Sequence, residues 1–529
     1  QYWNPLYGDG YPSGLGQAND RKIFDWTWTN QLNYHLDLNA SKDFYVNLLG
    51  GTEANAFTNN QSQFWGANFP STLALQYLAS AAKPTQAYNL PSERSVASYF
   101  SSAVFNYKDR YVVSGSFRRD GSSVFSKDHK WGNFYSVGGA WNINEENFLK
   151  NVSFLSLLKL RSSYGTSGNT NGFGYYSSLA TYGYGSAYTG DPGSAPNNVG
   201  NPDLTWEKNK AFNIGLDFGL WQNRLTGTVE YYKRVTSDLL VTIPLSPTSG
   251  FSGGQLTNVG SMYNKGIEIT LGGRPIVTKD FVWQSNFTFS HNTNRVTQLY
   301  NHAPISQNTR FNITEGHDIY EFYTRLWAGV DPANGDPLWY TDDTKATKTN
   351  NSNLAKLSLT GKSATPKYYG AFSNTFSYKG VSLQAELFYN FGNYIYSTWE
   401  NYLASNGAYV GNMNQLSSQL NAWQKPGDIT NVPAIMYGGN KNSNRPSTRY
   451  LYKGDYIRLR NIELGYNLPS SILKRADISN VHIYVRGTNL FTFATDKNLA
   501  IDPEVGAQSI SDFQVFMPKT ISVGIRVGL

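Results

Sequence analysis

Cysteine is absent from the 529 residues, which excludes a disulfide framework, a zinc knuckle and thiol catalysis, and leaves the compartment unmarked by redox chemistry. Charge is sparse as well. Asp, Glu, Lys and Arg together make 15% of the chain, low for a soluble domain. The formal excess of +7 is dispersed along the chain, whereas tracking a phosphate backbone needs Lys and Arg clustered on one surface, so no nucleic-acid partner is expected. No run of about 18 apolar residues could cross a membrane as a helix. The opening "QYWNPLYGDG" has neither the basic start nor the apolar core of a secretory signal. The mean hydropathy of −0.45 has the value of a soluble protein, but a membrane β-barrel alternates lipid-facing and lumenal residues and so averages out the same way. No Pro/Ser-rich linker, charge block or change of composition divides the chain, which reads as one unit over residues 1–529. Aromatics are abundant at 15%, led by 38 Tyr, and Gly numbers 49. Tyr and Trp suit boundaries between wet and apolar phases.

The dominant period is two. In "FNIGLDFGL", Phe212, Ile214, Leu216, Phe218 and Leu220 share one face, against Asn213, Gly215, Asp217 and Gly219. In "VSLQAELFYN", Val381, Leu383, Ala385, Leu387 and Tyr389 oppose Ser382, Gln384, Glu386 and Asn390. "YVVSGSFRR", "RLTGTVEYY", "GIEITL" and "FVWQSNFTF" repeat the split, so helices are minor at most. "YIRLRNIELGYNL" changes phase near Arg460 and Asn461, as a bulge would make it do, and "YVRGTNLFTF" places Gly487 and Asn489 among apolar neighbours, which alternation does not explain.

Tight links at Tyr107 to Arg110, Leu220 to Arg224 and Tyr378 to Gly380 alternate with long stretches rich in Gly, Asn, Ser and Pro. Short turns on one side and long loops on the other describe an all-β, transmembrane antiparallel barrel of the outer-membrane kind, with about fifteen strands in this chain. The strands are expected from about residue 24 to 529, with residues 1–21 left as an extracellular loop remnant. The long outer loops fall at about Thr58 to Glu93, Gly165 to Glu207, Ser237 to Tyr263, Asn294 to Thr365, Ser397 to Tyr450 and Ala494 to Met517. Alternation of direction puts Gln1 outside and the carboxyl terminus in the periplasm. The last strand, "PKTISVGIRVGL", turns Arg526 away from its apolar face. Arg at the bilayer midplane would cost about 2–4 kcal/mol, so Arg526 is expected in the lumen.

Taken in order, "YFSSAVFNYKDRYVVSGSFRRDGSSVF", "NPDLTWEKNKAFNIGLDFGL", "NVGSMYNKGIEITL", "YIRLRNIELGYNLP" and "TNLFTF" resemble the SusC/RagA-type TonB-dependent transporters of Gram-negative outer membranes. The resemblance runs over nearly the whole chain. It implies a barrel of about 22 strands filled by an amino-terminal plug, energised by TonB and covered by a SusD-like lipoprotein that hands over oligosaccharides or peptides. This chain then corresponds to the carboxyl-terminal fifteen or so strands. Its expected partners are a plug-bearing amino-terminal half, the SusD-like lid, TonB through the plug, outer-membrane lipid and the cargo.

Inward positions supply the candidate site. Asp217, Glu230 and Glu268 lie on consecutive strands and, with Glu386, can face Lys or Arg groups of the plug or line a wet wall. Arg118 is their nearest basic counterpart by facing. The loop aromatics Trp65, Trp339, Trp399 and Trp423 are candidates for stacking on cargo or lid, against packing of loop on loop. No catalytic residues are expected. "GKS" at Gly361 to Ser363 has Lys356 where a P-loop needs glycine, and six scattered histidines include no HExxH, so no metal centre or resident cofactor is expected. "DPANGDP" at Asp331 to Pro337 has oxygen ligands that suit calcium, though its turn chemistry suffices. Two other readings use the same strands: a passive porin or surface adhesin, and a soluble carbohydrate-binding β-protein.

Overall fold

The computed structural model describes residues 2–3, 14–70, 77–170, 174–184, 189, 191, 193–251, 254–306, 310–473 and 478–528. Fifteen long strands form one antiparallel sheet in chain order. They are β1 (Leu15–Asp37), β2 (Phe44–Ala67), β3 (Lys83–Tyr107), β4 (Tyr111–Ser122), β5 (Trp131–Asn142), β6 (Leu155–Asn169), β7 (Glu207–Leu220) and β8 (Leu225–Ser237). Then follow β9 (Ser261–Val277), β10 (Phe281–Gln298), β11 (Tyr368–Tyr378), β12 (Val381–Phe391), β13 (Tyr456–Asn467), β14 (Asn480–Ala494) and β15 (Thr520–Gly528). The number agrees with the expectation from periodicity. Each strand pairs with its neighbours in sequence, as tight hairpins dictate.

Alternation runs along most of the wall. In β7, Phe212, Ile214 and Leu216 are exposed while Asn213, Gly215 and Asp217 are covered. In β1, Phe24, Trp26, Trp28, Leu32 and Tyr34 share the outer face, against Asp25, Thr27, Thr29, Gln31 and Asn33. Aromatic rows mark the rim at the short-turn end: Tyr111 stacks between Tyr107 and Trp141, and its hydroxyl donates to Glu146, 2.5 Å away. Trp283 stacks on Phe376 at 5.8 Å and its indole N–H donates to Asn374. Rings with one polar tip satisfied are what a lipid–water boundary selects.

The first strand corrects an expected boundary. Strand β1 begins at Leu15 rather than near residue 24, and Tyr2–Trp3 pair with Leu15 and Gly16, so residues 15–21 are strand and not loop remnant. Gln1 and residues 4–13 lie outside the described residues. The extension escapes a pattern search because both faces of "LGQANDRK" are mostly polar. It is held by an unbroken ladder from Leu15↔Ala67 to Asp37↔Tyr45 and by Arg21, which donates to Asn59 at 2.7 Å. Strands of 23 to 25 residues far exceed the 9–11 or so needed to cross a bilayer. Their outer halves stand clear of it, as polar outward positions at Thr58, Asn60 and Ser62 indicate.

The phase changes noted in β13 and β14 have one cause. The register runs Leu459↔Phe491 and then Asn461↔Thr488, leaving Arg460 opposite both Asn489 and Leu490, and β12 slips at the same level. Asn489 takes a left-handed φ of 54°, and Leu490 folds over Gly487, where a Cβ would lie 2.5 Å from its Cδ1. A bulge on each strand thus explains both segments.

Seven connections of 2 to 12 residues sit at one end of the sheet and seven of 8 to 69 residues at the other. The long ones build their own core, in which Phe311, Phe322, Tyr396 and Tyr450 are fully buried. Strands β1 and β15 run the same way, so Leu15 lies at the long-loop end and Gly528 at the short-turn end. Among the described residues β15 pairs only with β14.

Candidate functional site

Three adjacent strands bring the acidic candidates together, and a fourth supplies the cation that sequence reasoning missed. Arg161 on β6 stands opposite Gly215. Its Nη2 lies 2.5 Å from Glu230 and its Nε 3.2 Å from Asp217. The reach across β7 to Glu230 on β8 needs the missing side chain of Gly215, because a Cβ there would sit 2.9 Å from the Arg161 guanidinium. Thr228 donates to Asp217 at 3.0 Å. Glu268 is directly opposite Glu230 and has no ion-pair partner among the described residues. The signal for Arg161 was present in "SLLKLRSSY", where Lys159 and Arg161 alternate with Leu158 and Leu160.

Arg118 belongs to a different cluster. It reaches Glu53 at 2.8 Å, Asp120 at 2.7 Å and Ser98 at 2.9 Å, partners on its own strand and the two before it. Glu386 faces inward between Ser373 and Asn461. Arg526 lies 5.0 Å from the Tyr484 ring, on the face of Glu463, which Arg486 holds at 2.5 Å. The inner wall is thus studded with compact ion clusters, and cavities of about 700 Å³ and 440 Å³ open against the Arg161 cluster and the Glu230–Glu268 pair.

The tryptophan candidates divide. Trp339 is 0% exposed and meets Trp327 edge to face at 5.6 Å, so it is core and not an exposed contact. Its burial follows from the loops being long enough to enclose a core. Trp399 stacks on Phe513 at 5.1 Å. Trp423 donates its indole N–H to the Pro332 carbonyl at 3.0 Å and lies over Gly335. Trp65 belongs to β2, not to a loop, and stands opposite Gln17.

A buried cation of the wall ties one of the long loops to it. Arg458 of β13, 1% exposed, binds Asp502 at 2.5 Å and Glu504 at 2.8 Å, while Arg460 meets Glu504 at 3.1 Å. Arg458 and Arg460, two residues apart on β13, thus both hold one loop, residues 495–519. Glu400 is buried in the loop body, where it accepts the Tyr452 hydroxyl at 2.5 Å. Desolvation raises its pKa, opposed by that hydrogen bond, and burial raises Tyr452 likewise. A polar cavity of about 560 Å³ opens beside them, lined by Glu400, Gln419, Asn431, Arg449, Tyr452 and Lys497. It offers donors and acceptors fit for hydroxyl or amide groups.

Among the described residues no group of three or more His, Asp or Glu side chains is placed to hold a metal. At Asp331 to Pro337 the Asp331 carboxylate accepts from the Ala333 N–H, and Asp336 is engaged by Lys441 at 2.5 Å and Asn350 at 2.9 Å.

An apolar, aromatic-rimmed outer face around a charged, glycine-lined inner face defines the wall of an outer-membrane barrel. The chain belongs to the TonB-dependent receptor family, whose model "TonB dependent receptor-like, beta-barrel" matches residues 1–317. It is 30% identical over 459 residues to TonB-dependent receptor P39 of Formosa agariphila, across 78% of this chain and 43% of that one. It is 29% identical over 523 residues to TonB-dependent receptor SusC of Bacteroides thetaiotaomicron, across 94% and 49%. Among solved structures, the RagAB peptide transporter superposes with a TM-score of 0.87 at 28% identity, over 99% of this chain and 57% of that one. The resemblance to SusC/RagA-type proteins is borne out. The chain spans about half the length of the curated relatives it matches.

Proposed function

We propose that this chain is the barrel wall of an energised, TonB-dependent importer that takes up oligosaccharides or peptides with a SusD-like surface lipoprotein. The observation that carries the reading is the likeness to the RagAB peptide transporter over 99% of the chain. The role is transport and not catalysis. Short turns face the periplasm, so the carboxyl terminus is periplasmic and the amino-terminal end of this chain extracellular.

The sheet's edges support a plug-bearing partner segment. Beyond Gly16, β1 has one neighbour among the described residues, and so does β15. Outward Ile521 and Val523 of β15 are 75% and 72% exposed, against 37% for Leu216 in the middle of the sheet. Backbone N–H and C=O groups left open to hydrocarbon cost several kcal/mol each, and about seven further strands complete a barrel of the expected size. The plug fills the lumen and carries the TonB contact. Its cations meet Glu268 and Glu386, inward acids with no ion-pair partner among the described residues. Trp65, Trp399 and Trp423 remain the aromatic candidates for cargo or lid.

Purification through a carboxyl-terminal tag in mild detergent tests this reading. A stoichiometric plug-bearing polypeptide or segment is expected, with or without a lipoprotein lid, together with uptake of oligosaccharide or peptide that stops when TonB is removed. Recovery of a folded, monomeric barrel without a plug, or uptake indifferent to TonB, would return the passive porin.

A further inference from the structure

The outer face of the wall carries a cleft of about 840 Å³ at the short-turn end where β8, β9 and β10 meet. Phe154, Trp221, Leu225, Leu271 and Phe287 give it apolar walls. The cleft exists because neighbouring hairpins differ in length: β8 starts at Leu225 beside Gly273, while the β9–β10 hairpin runs on to Val277 and Phe281. Trp221 is thrown outward by a turn in which Trp221, Gln222 and Asn223 all take left-handed φ of 52° to 61°. Its N–H is held by the Phe154 carbonyl at 2.6 Å.

Two arginines frame the cleft, Arg224 and Arg274. Arg274 and Pro275 stand in a bulge opposite the single Gln284, and such bulges re-aim side chains. The Arg274 N–H donates to the Arg224 carbonyl at 2.8 Å, so the two backbones touch; Gly273 is glycine because a Cβ there would lie 2.3 Å from that carbonyl. Neither guanidinium has an ion-pair partner among the described residues, although most arginines of the inner wall do.

We propose that this cleft binds a glycerophospholipid whose anionic phosphate sits on Arg224 and Arg274 and whose acyl chain lies against Phe154, Trp221, Leu271 and Phe287. The charge at the rim and the apolar walls below it match such a molecule end to end, and planar guanidinium groups bind phosphate oxygens in pairs. The volume falls in the range of sites that enclose a whole small molecule rather than a passing solvent chain. This inference rests only on the outer face meeting lipid, and not on the cargo or the energy source. The lipid would staple the β7–β8 turn to the longer β9–β10 hairpin.

Native mass spectrometry of the intact transporter, delipidated and then titrated with phosphatidylglycerol or phosphatidylcholine, tests it. The wild type is expected to retain one phosphatidylglycerol with a preference of about fivefold per arginine. Arg224→Ser with Arg274→Ser abolishes the preference while acyl binding persists; Ser285→Phe, which fills the cleft, abolishes retention of both lipids. The arginines make no side-chain bond elsewhere among the described residues, so their variant folds, as heat-modifiable migration will show. Equal retention of both lipids by the wild type, or unchanged retention in both variants, overturns the proposal. Failure of uptake with the lipid preference intact faults the transporter reading alone.

Discussion

The wall and the loop body place their apolar side chains by opposite logic. In the wall, large apolar side chains point away from the protein: Phe212, Ile214, Leu216 and Leu387 stand exposed in regular rows, and order comes from ladders and alternation. In the loop body, residues such as Phe311, Phe322, Tyr396 and Tyr450 are enclosed, and buried charges are clamped by partners. The wall is folded for a lipid solvent and the loops for water. The same substitution therefore has different consequences in the two regions, and the strongest tests are those that move a charge between them.

The largest effect is expected at Arg458. Replacing it with Met leaves Asp502 and Glu504 facing each other without their main cation, and removing one partner of a buried ion pair costs about 3–5 kcal/mol. Protease cleavage within residues 495–519 should rise sharply while the folded barrel still migrates as heat-modifiable material. An unchanged cleavage pattern would mean that the loop is held by something other than the clamp. The wall gives the converse: Leu216→Arg should prevent assembly at a cost of about 2–4 kcal/mol, whereas Gln384→Arg, on the lumenal face of β12, should assemble. Equal tolerance at both would remove the distinction between the faces.

A smaller effect separates the regions by pH. The Glu400 carboxyl is raised above its ordinary value, first by desolvation, so the fold favours its protonated form. Its contribution to stability is complete below the ordinary carboxylate pKa and is lost as pH rises through the raised one. Loop-body protection from protease should fall over that window in the wild type and fall less in Glu400→Gln, with assembly of the wall unaffected in both. A steeper loss in the variant would reverse the sign assigned here.

What could be read beforehand follows the same division. Alternation revealed β7 and β12 residue by residue, because a half-lipid, half-lumen strand must carry the pattern in its own sequence. It missed residues 15–23 of β1, where both faces are wet and only the ladder to β2 holds the strand. It also missed that Trp339 is enclosed, since a long loop's core is made by contacts remote in sequence, such as Trp327 with Arg449. Among the lumenal acids the facing was legible but the partner was not. Arg161 reaches Glu230 across an intervening strand, through a gap that only register and a glycine create.

That gap supports the smallest and most discriminating prediction. Gly215→Val places a side chain where the Arg161 guanidinium now lies. The obstacle is the end of a flexible chain, so Arg161 swings aside and the wall still forms. The lost pair is partly solvated, with side chains 34% and 21% exposed, and such pairs contribute about 0–1 kcal/mol. Arg161→Gln removes the same bond from the other end. If Gly215 matters because it lets Arg161 pass, the two changes act on one interaction, and the double variant should be no less stable than the worse single one. A double-mutant cycle on thermal unfolding of the assembled barrel measures this. Full additivity would show that the glycine serves β7 in some other way, and that Glu230 is balanced without Arg161.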